Sequence, residues 1–322
     1  MPPDQDPMMH EPARMIQVEK DRIGQRIDNF LMLELKGVPK SRVYQMIRKG
    51  EVRVNKGRKR PDYKLQDNDL IRVPPIRRSI SNEPVDYRFI SILEYIFFES
   101  DQFLAINKPA GLAVHGGTGL QAGLIEALRS HRPESPYLEL AHRLDRDTSG
   151  LIIIAKKRSF LRRFQAALRS RLFLQKNYDL VVHGSWPKKL ETVALPIQKV
   201  ELRSGERRSR VNEDGKPSRT QFTVKRRNRE ATWLSAHLVT GRMHQIRLHA
   251  AEMGHPVIGD IKYGDEVKDA GLAAPRMMLH ASSMVLNGNT LANAESGLPD
   301  IKLNAPLEKT MALFIDKHFP QD

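Results

Sequence analysis

The chain has 322 residues, no cysteine, a formal net charge of +15 at neutral pH and a sequence pI of about 10.0. The lack of cysteine excludes disulfides, thiol nucleophiles and cysteine-ligated zinc, and no apolar run approaches the ~18 residues of a membrane span. We therefore expect a cytoplasmic, two-domain protein whose partner is a polyanion, and nucleic acid rather than a membrane surface.

The N-terminal part is predicted to hold a tail and a small folded unit. Residues 1–18 are rich in Pro and Met and are expected to be a loose tail. In residues 19–75, apolar residues at helical spacing precede two short strand-like segments, which predicts a helix–helix–hairpin unit. The second helix is expected to run from an N-cap at Ser41 to Gly50.

Cations cluster on this second helix and on the turn after it. Such a run is usually a solvated face, but here few acids interrupt it, which favours a phosphate-binding surface. The residues predicted to contact RNA are Lys40, Arg42, Arg48, Lys49, Arg53 and Lys56. Through segments 38–42 and 48–55 the unit resembles the S4-type RNA-binding domain.

A Pro-containing linker at 76–88 is predicted to lead into a second domain, residues 89–322. A strand at 103–108 precedes a glycine-rich loop that matches neither phosphate-loop pattern, so we expect no nucleotide cofactor. Further on, residues 186–220 are basic and irregular and are interpreted as strands joined by long, RNA-facing loops.

The most distinctive stretch is the polar loop 142–150, followed at once by the apolar, β-branched run 151–155. The apolar run is typical of a buried strand, and a polar loop mounted on such a strand is a usual place for catalytic groups. Thr-Ser-Gly at the end of the loop is interpreted as a turn. The residues alone do not choose between Asp145 and Asp147 as the functional carboxylate, and capping of the turn is the simpler role for either.

A helix is predicted to open at Gly241 and to end at Gly254, and histidines are frequent in and around it. His244 and His249 are five residues apart, which is off the i, i+4 spacing of a helical zinc pair. We therefore expect no metal site.

Taken together, these motifs resemble the RluA-type pseudouridine synthases, and most closely the RluC subgroup that acts on large-subunit rRNA. The likeness is carried, in the family's order, by Asn107-Lys108-Pro109, His142-Arg143-Leu144-Asp145 with Thr148-Ser149-Gly150, Lys176-x-Tyr178, Gly241-Arg242-x-His244-Gln245-Ile246-Arg247 and Gly259-Asp260-x-x-Tyr263-Gly264. Met243 departs from the family, which usually carries threonine there.

The resemblance implies an α+β catalytic domain on a mixed, largely antiparallel sheet, preceded by the small S4-like α/β domain. It implies isomerisation of uridine in RNA, with breakage of the C1′–N1 bond and formation of a C1′–C5 bond, and no cofactor. The implied partner is 23S ribosomal RNA or a large-subunit assembly intermediate, and we expect the protein to act as a monomer.

The resemblance also assigns roles to residues. Asp145 is implied as the catalytic carboxylate, acting as nucleophile or as base on a sugar proton. Arg247 is its implied cationic partner, and Tyr178 is implied to stack on the flipped base and to assist proton removal from C5. Implied substrate contacts are Arg143, which enters the helix as the base leaves, His142, and Leu248 as an apolar wall of the pocket.

Three other functions compete with this interpretation. An aspartic protease is excluded, because Asp147-Thr148-Ser149-Gly150 has one residue too many for D-[ST]-G. A non-catalytic rRNA-binding or assembly factor would explain the charge but not the catalytic motif residues. A family member that acts on tRNA stays open, although the S4-like unit speaks against it.

Overall fold

The computed structural model describes residues 8–35, 38, 40–79, 91–116, 123–135, 137–170, 174–201, 207–286 and 298–320. The chain divides into two compact units, Met1–Asp86 and Tyr87–Asp322. No helix in these ranges is both long and apolar enough to cross a membrane.

The first unit packs two helices against a small sheet. Its elements are strands β1 (Met8–Glu11), β2 (Arg14–Gln17), β3 (Arg53–Val54), β4 (Leu70–Val73) and β5 (Ile76–Ser79), and helices α1 (Ile27–Glu34) and α2 (Lys40–Lys49). The antiparallel sheet has the order β2-β4-β3, and β1 pairs separately with β5. Apolar faces of both helices meet the sheet in a core that includes Leu31, Met46 and Ile71, each fully buried.

The structure corrects the predicted tail and linker of this unit. Residues 8–17, expected in a tail, form β1 and β2, and residues 76–79, expected in a linker, form β5. The sequence between 52 and 73 supplies only two strands, and a third strand gives a small sheet the extra pairing it needs for independent stability. Most of the predicted linker, 80–88, lies outside the described residues.

The second unit alternates short helices with many strands. Its strands are β6 (Ile96–Glu99), β7 (Phe103–Lys108), β8 (Glu139–Leu140), β9 (Ser149–Ala155), β10 (Leu174–His183), β11 (Thr192–Val193), β12 (Ile197–Glu201), β13 (Arg207–Val211), β14 (Thr220–Arg227), β15 (Ala231–Leu238), β16 (Leu279–Leu286) and β17 (Ile301–Asn304). Its helices are α3 (Leu124–His131), α4 (Arg158–Ser170), α5 (Gln245–Glu252), α6 (Glu266–Leu272) and α7 (Lys309–His318).

One 10-stranded sheet organises this unit. Its main path runs β11-β14-β15-β10-β16-β9-β7-β6, with β17 on β16 and β8 on β9. The strand pairs are antiparallel except for β9 with β16, which are parallel at the centre of the sheet. The predicted class, an α+β protein with a mixed, largely antiparallel sheet behind a small α/β unit, is confirmed.

Strand β9 is rigid because both of its faces are covered. All of its residues are buried, as expected for an apolar run in a central strand. Phe160 of α4 stacks on Phe103 of β7 at 4.7 Å between ring centroids and is itself fully buried. The loop that enters β9 is therefore mounted on a fully buried strand of the sheet.

The start of β9 was not predicted. Ser149 and Gly150, interpreted as part of a turn, already pair with His280 and Ala281 of β16. Gly150 has φ +106°, and a Cβ atom there would lie 2.3 Å from the carbonyl oxygen of Ala281. Glycine is therefore required by the close approach of two strands as well as by its backbone angle.

The basic region 186–220 is more regular than expected. Strands β12 and β13 form a two-stranded antiparallel hairpin, in register from Ile197 with Val211 to Glu201 with Arg207. Residues 202–206, at its tip, lie outside the described residues.

Candidate active site

A cavity of about 570 Å³ opens where the polar loop before β9 meets β10 and the turn that starts α5. Its lining brings together motifs that are far apart in sequence. The residues that line it are His142, Arg143, Leu144, Asp145, Thr148, Leu168, Arg169, Lys176, Tyr178, Lys199, Leu238, Gly241, Arg242, Met243, His244, Gln245, Ile246, Arg247 and Leu279.

Among the described residues, Asp145 is the only carboxylate that lines the cavity, and several cations lie around it. Its Oδ2 lies 3.4 Å from Nη1 of Arg247 and 3.8 Å from Nε2 of His244. Asp147, the alternative carboxylate, does not line the cavity and pairs with its neighbour Arg146 at 3.1 Å. The structure thus places Asp145 and not Asp147 in the cavity lining, a choice that the sequence left open.

Arg247 contacts Asp145 as we predicted, but its main partner is a different acid. Nε and Nη2 of Arg247 each donate to one oxygen of Asp260 at 2.6 Å, in a two-pronged buried pair. Burial acts to lower the pKa of the Arg247 guanidinium, but Asp260 and Asp145 outweigh it and leave this pKa raised. Asp260 therefore fixes the guanidinium, and Nη1 remains to face Asp145.

Tyr178 and Lys176 reach the cavity from β10. Burial, with a smaller contribution from Asp145, raises the pKa of the Tyr178 hydroxyl, so this side chain is a neutral phenol near pH 7. Burial lowers the pKa of Lys176 to about 8. An aromatic face and an ammonium group beside one carboxylate suit a planar base on an anionic backbone.

The three predicted substrate contacts lie in different environments. Arg143 is exposed at the cavity. His142 lines the cavity too, but its Nε2 accepts a hydrogen bond from the backbone N–H of Ile153 at 3.1 Å, and burial lowers its pKa to about 3. Leu248 is buried and does not line the cavity; Leu144, Ile246 and others provide the apolar wall instead.

Lys108 holds the polar loop from behind. Its fully buried Nζ donates to the carbonyl oxygens of Pro109, Leu112 and Arg146 at 2.8–2.9 Å. Burial lowers its pKa to about 7, while the charges of Asp147 and Glu308 act in the opposite direction. Since Arg146 follows Asp145 directly, this anchor fixes the backbone next to the carboxylate.

Helix α5 begins at Gln245, four residues after the predicted start at Gly241. The Gln245 side chain accepts hydrogen bonds from the Thr240 hydroxyl at 2.8 Å and from the backbone N–H of Arg242 at 3.0 Å. This holds 240–244 as a turn, which sets His244 and Arg247 toward the cavity.

The predicted RNA contacts of the first unit are only partly free. Arg42 pairs with Glu51 at 2.7 Å, and the Arg53 guanidinium donates to the carbonyl of Lys56 at 3.3 Å. Arg48, Lys49 and Lys56 are exposed, whereas the side chain of Lys40 lies outside what the structure describes.

Sequence reasoning gave no role to Lys108, His244 or Asp260. All three stand inside the quoted motifs, so the signal was present in the sequence. What the sequence did not show was the distant partner of each side chain: Arg146 for Lys108, Asp145 for His244 and Arg247 for Asp260. Within the described ranges, no three His, Asp or Glu side chains are grouped to hold a metal ion.

Comparison with known proteins agrees with this geometry. The model of the RNA pseudouridylate synthase family matches residues 102–252, and the model of the S4 domain matches residues 25–71. The chain is 47% identical over 311 residues to ribosomal large subunit pseudouridine synthase C of Pasteurella multocida, covering 94% of this chain and 93% of that protein. The protein of the same name from Haemophilus influenzae is 46% identical over 321 residues, covering 96% of both chains.

Solved structures show the same fold at lower identity. Human RNA pseudouridylate synthase domain containing 4 aligns with a TM-score of 0.56 at 21% identity, over 72% of this chain and 96% of that one. Human RNA pseudouridylate synthase domain containing 1 aligns with a TM-score of 0.54 at 24% identity, over 66% of this chain and 82% of that one.

Proposed function

Because this chain belongs to the RluA-type RNA pseudouridylate synthases, and is therefore an RNA uridine isomerase, we propose that it modifies uridines of large-subunit (23S) ribosomal RNA. Its relatives are named for the large ribosomal subunit, and the match to them spans nearly the whole chain. The net charge of +15 and the S4 domain supply the phosphate-binding capacity that a long RNA requires.

The proposed reaction balances without a cofactor. The C1′–N1 bond of uridine breaks, the base turns, C1′ bonds to C5, and the proton on C5 leaves while N1 takes one up. No electron enters or leaves, so the reaction requires neither a redox group nor a nucleotide. Asp145 is the group proposed to act at the sugar, as nucleophile at C1′ or as base on a sugar proton.

The neighbours of Asp145 have distinct proposed roles. Arg247 orients Asp145 through Nη1, which lies 3.4 Å from Oδ2. Tyr178 stacks as a neutral phenol on the flipped base and assists loss of the C5 proton, and Arg143 occupies the space that the base leaves in the RNA. His142 supports the cavity through its bond to β9.

One observation carries this proposal: of the described residues, Asp145 is the only acid that lines the cavity, and Arg247 and Tyr178 stand in the same lining. The test replaces Asp145 with Asn, with Asp147→Asn as the matched control. We expect Asp145→Asn to abolish single-turnover pseudouridine formation with unchanged RNA affinity, and Asp147→Asn to retain most of it. If Asp147→Asn were inactive and Asp145→Asn active, the catalytic carboxylate would be Asp147 and the proposal would be wrong.

The substrate is tested by mapping pseudouridines in 23S rRNA from cells with and without this chain. We expect specific positions to lose the modification in the deletion strain and to regain it with the wild-type gene, but not with Asp145→Asn. If pseudouridine were lost from tRNA alone, the substrate would be tRNA. If no pseudouridine were lost from any RNA, the result would favour a non-catalytic assembly factor.

We further propose that the enzyme acts in the cytoplasm as a monomer, since Asp145, Tyr178 and Arg247 meet within a single chain. Naked 23S rRNA and purified assembly intermediates serve as the two substrates to compare. Light scattering on the complex with each RNA should give the mass of one protein chain per RNA. A mass of two protein chains per RNA would contradict the monomer.

A further inference from the structure

His244 has an unusual backbone for a side chain of its size. Its φ of 56° and ψ of 22° lie in the left-handed region, at the residue before α5. Non-glycine residues are uncommon there, and such strained positions cluster at active sites. The Ser209 hydroxyl of β13 donates to the carbonyl of the preceding Met243 at 2.8 Å, which helps to hold the turn.

Both ring nitrogens of His244 have a defined neighbour. Nδ1 lies 2.8 Å from the hydroxyl of Tyr263, and Nε2 lies 3.8 Å from Oδ2 of Asp145. The hydroxyl of Tyr263 in turn accepts a hydrogen bond from the backbone N–H of Ser209 at 2.9 Å. The ring thus stands between the hairpin β12–β13 and the proposed catalytic carboxylate.

The charges around the ring favour one tautomer. Burial lowers the pKa of His244, with Asp145 opposing and Arg247 reinforcing this effect, so the imidazole carries a single N–H near pH 7. The Tyr263 hydroxyl has two acceptors within reach, Nδ1 of His244 at 2.8 Å and the carbonyl oxygen of Ser209 at 3.2 Å. Donation to the nearer Nδ1 places the single N–H of the ring on Nε2, where it points at the carboxylate. The other tautomer would turn a nitrogen lone pair toward Asp145, which is electrostatically unfavourable.

We propose that His244 is a positioning residue for the isomerisation: oriented by Tyr263, it directs its Nε2–H at Oδ2 of Asp145. Arg247 faces the same oxygen, so the two donors hold one side of the carboxylate and leave Oδ1 directed to the ribose. The present separation is too long for a hydrogen bond, and we expect it to shorten when RNA fills the cavity. This inference rests on the proposed role of Asp145.

A second histidine of the same helix shows what a purely structural role looks like. His249 is fully buried, and its two nitrogens lie 2.9 Å from the hydroxyls of Ser218 and Thr220. His249 does not line the cavity, whereas His244 does. The difference argues that the ring of His244 serves the carboxylate rather than the core.

Two variants distinguish the contribution of Nε2 from that of Nδ1. In His244→Gln the amide N–H₂ can reach the place of Nε2, and in His244→Asn it reaches only the place of Nδ1. We expect His244→Asn to slow single-turnover pseudouridine formation on saturating RNA by about 10²-fold, the usual effect of misplacing a reacting group, with unchanged Kd. His244→Gln should restore most of the rate.

Backbone strain at position 244 would give the opposite order of rates in these two variants. Asn tolerates the left-handed region better than Gln, so strain alone would make His244→Asn the milder change. The control is His183→Gln, which disrupts a His–Asp pair of 2.7 Å with Asp269 outside the cavity and should leave the rate unchanged. Thermal unfolding of each variant reports its stability.

A wild-type rate in His244→Asn, or equal losses in both variants, would overturn the inference. If both variants fail to fold, Tyr263→Phe removes the orienting hydroxyl but keeps the ring, and it should lower the rate at constant Kd. A wild-type rate in Tyr263→Phe would then refute the orientation argument. Asp145→Asn, assayed in parallel, tests the proposed function itself, because only its full activity would contradict the role of Asp145.

Discussion

At the scale of single residues, the site is built around one guanidinium shared by two carboxylates. Asp260 takes two of the donors of Arg247 at 2.6 Å and also accepts from the backbone N–H of Lys262 at 2.9 Å. Asp145 receives the remaining donor at a looser 3.4 Å. The close pair with Asp260 thus fixes the guanidinium, and the longer contact holds Asp145 less tightly, as the reaction proposed for this carboxylate requires.

The first prediction concerns Asp260→Asn. This change leaves the Arg247 cation buried without its two-pronged partner, and removing one member of a buried pair typically costs about 3–5 kcal/mol. We expect the free energy of unfolding to fall by about that amount, and the single-turnover rate to fall because Nη1 loses its fixed position.

The control for this prediction is Asp265→Asn, which removes an exposed acid that pairs with Lys268 and caps α6. It should change the free energy of unfolding little, because Asn caps a helix about as well as Asp, and it should leave the rate unchanged. Urea unfolding and single-turnover kinetics provide both readouts. Equal stabilities of the Asp260 and Asp265 variants would show that the buried pair does not support the site.

The family resemblance singled out Asp145, Tyr178 and Arg247, and the structure brings all three into one cavity lining, while their catalytic roles stay predictions. Asp260, Lys108 and His244 could not receive their roles from sequence, since each role is defined by a partner brought in by the fold. The predicted wall residue Leu248 illustrates the same limit, because one step along a helix decides between cavity and core.

At the scale of elements, the approach of β9 to β16 sets the position of the polar loop. Gly150 lies at this junction, where the backbone of Ala281 leaves no room for a side chain. The parallel pair is the exception in an antiparallel sheet, and it places the end of the loop next to the start of β16.

The second prediction is therefore a comparison of two glycines. Gly254→Ala introduces a side chain at φ +80° with no atom within 4 Å, so it should cost only the backbone strain, about 1–2 kcal/mol. Gly150→Ala adds a steric clash to similar strain, and overpacking typically costs a further ~1–3 kcal/mol. Urea unfolding should show the larger loss for Gly150→Ala, and equal losses would mean that the strands separate without cost.

Elements with a clear local pattern could be predicted, as with α2, β7 and the apolar run 151–155 of β9. The failures have a common cause: β1, β2, β5 and the first residues of β9 are strands by virtue of a partner distant in sequence. A local pattern that reads as tail, linker or turn does not reveal such a partner.

At the scale of the whole molecule, each of the two units has its own hydrophobic core. Both tryptophans, Trp186 and Trp233, belong to the second unit, so their fluorescence reports on that unit alone. This makes the two units separately testable within one chain.

The third prediction concerns RNA binding by the first unit. A chain without residues 1–86 should keep the tryptophan fluorescence of the intact protein, but it should bind long rRNA more weakly. The plot of log affinity against log salt should become shallower, by about 0.7–0.9 for each phosphate that the shortened chain no longer neutralises. An unchanged slope would show that the exposed cations Arg48, Lys49 and Lys56 do not touch RNA.

The fourth prediction concerns acid stability. Burial keeps His142 neutral in the folded chain down to a pKa of about 3, and it also lowers the pKa of His249 and of His280. At pH values between these lowered pKa values and the ordinary histidine pKa near 6.5, the unfolded chain binds protons that the folded chain does not. Stability should therefore fall as pH drops below about 6.5, by ~1.4 kcal/mol per pH unit for His142 alone.

Urea unfolding followed by tryptophan fluorescence between pH 7.5 and 5.5 checks this expectation. His142→Asn should make the pH dependence less steep, because one proton-binding difference is removed. A free energy of unfolding that stays constant over this range would contradict the burial of neutral histidines.

The junction of β9 and β16 also has a consequence for biosynthesis. The side chain of Ser149, at the end of the polar loop 142–150, contacts His280, which lies 131 residues further along the sequence. At the usual ~5–20 residues per second of translation, the loop leaves the ribosome roughly 7–26 seconds before its supporting strand. We expect a nascent chain to stay inactive through that interval, so that the enzyme begins to modify RNA only once nearly all of it has been made.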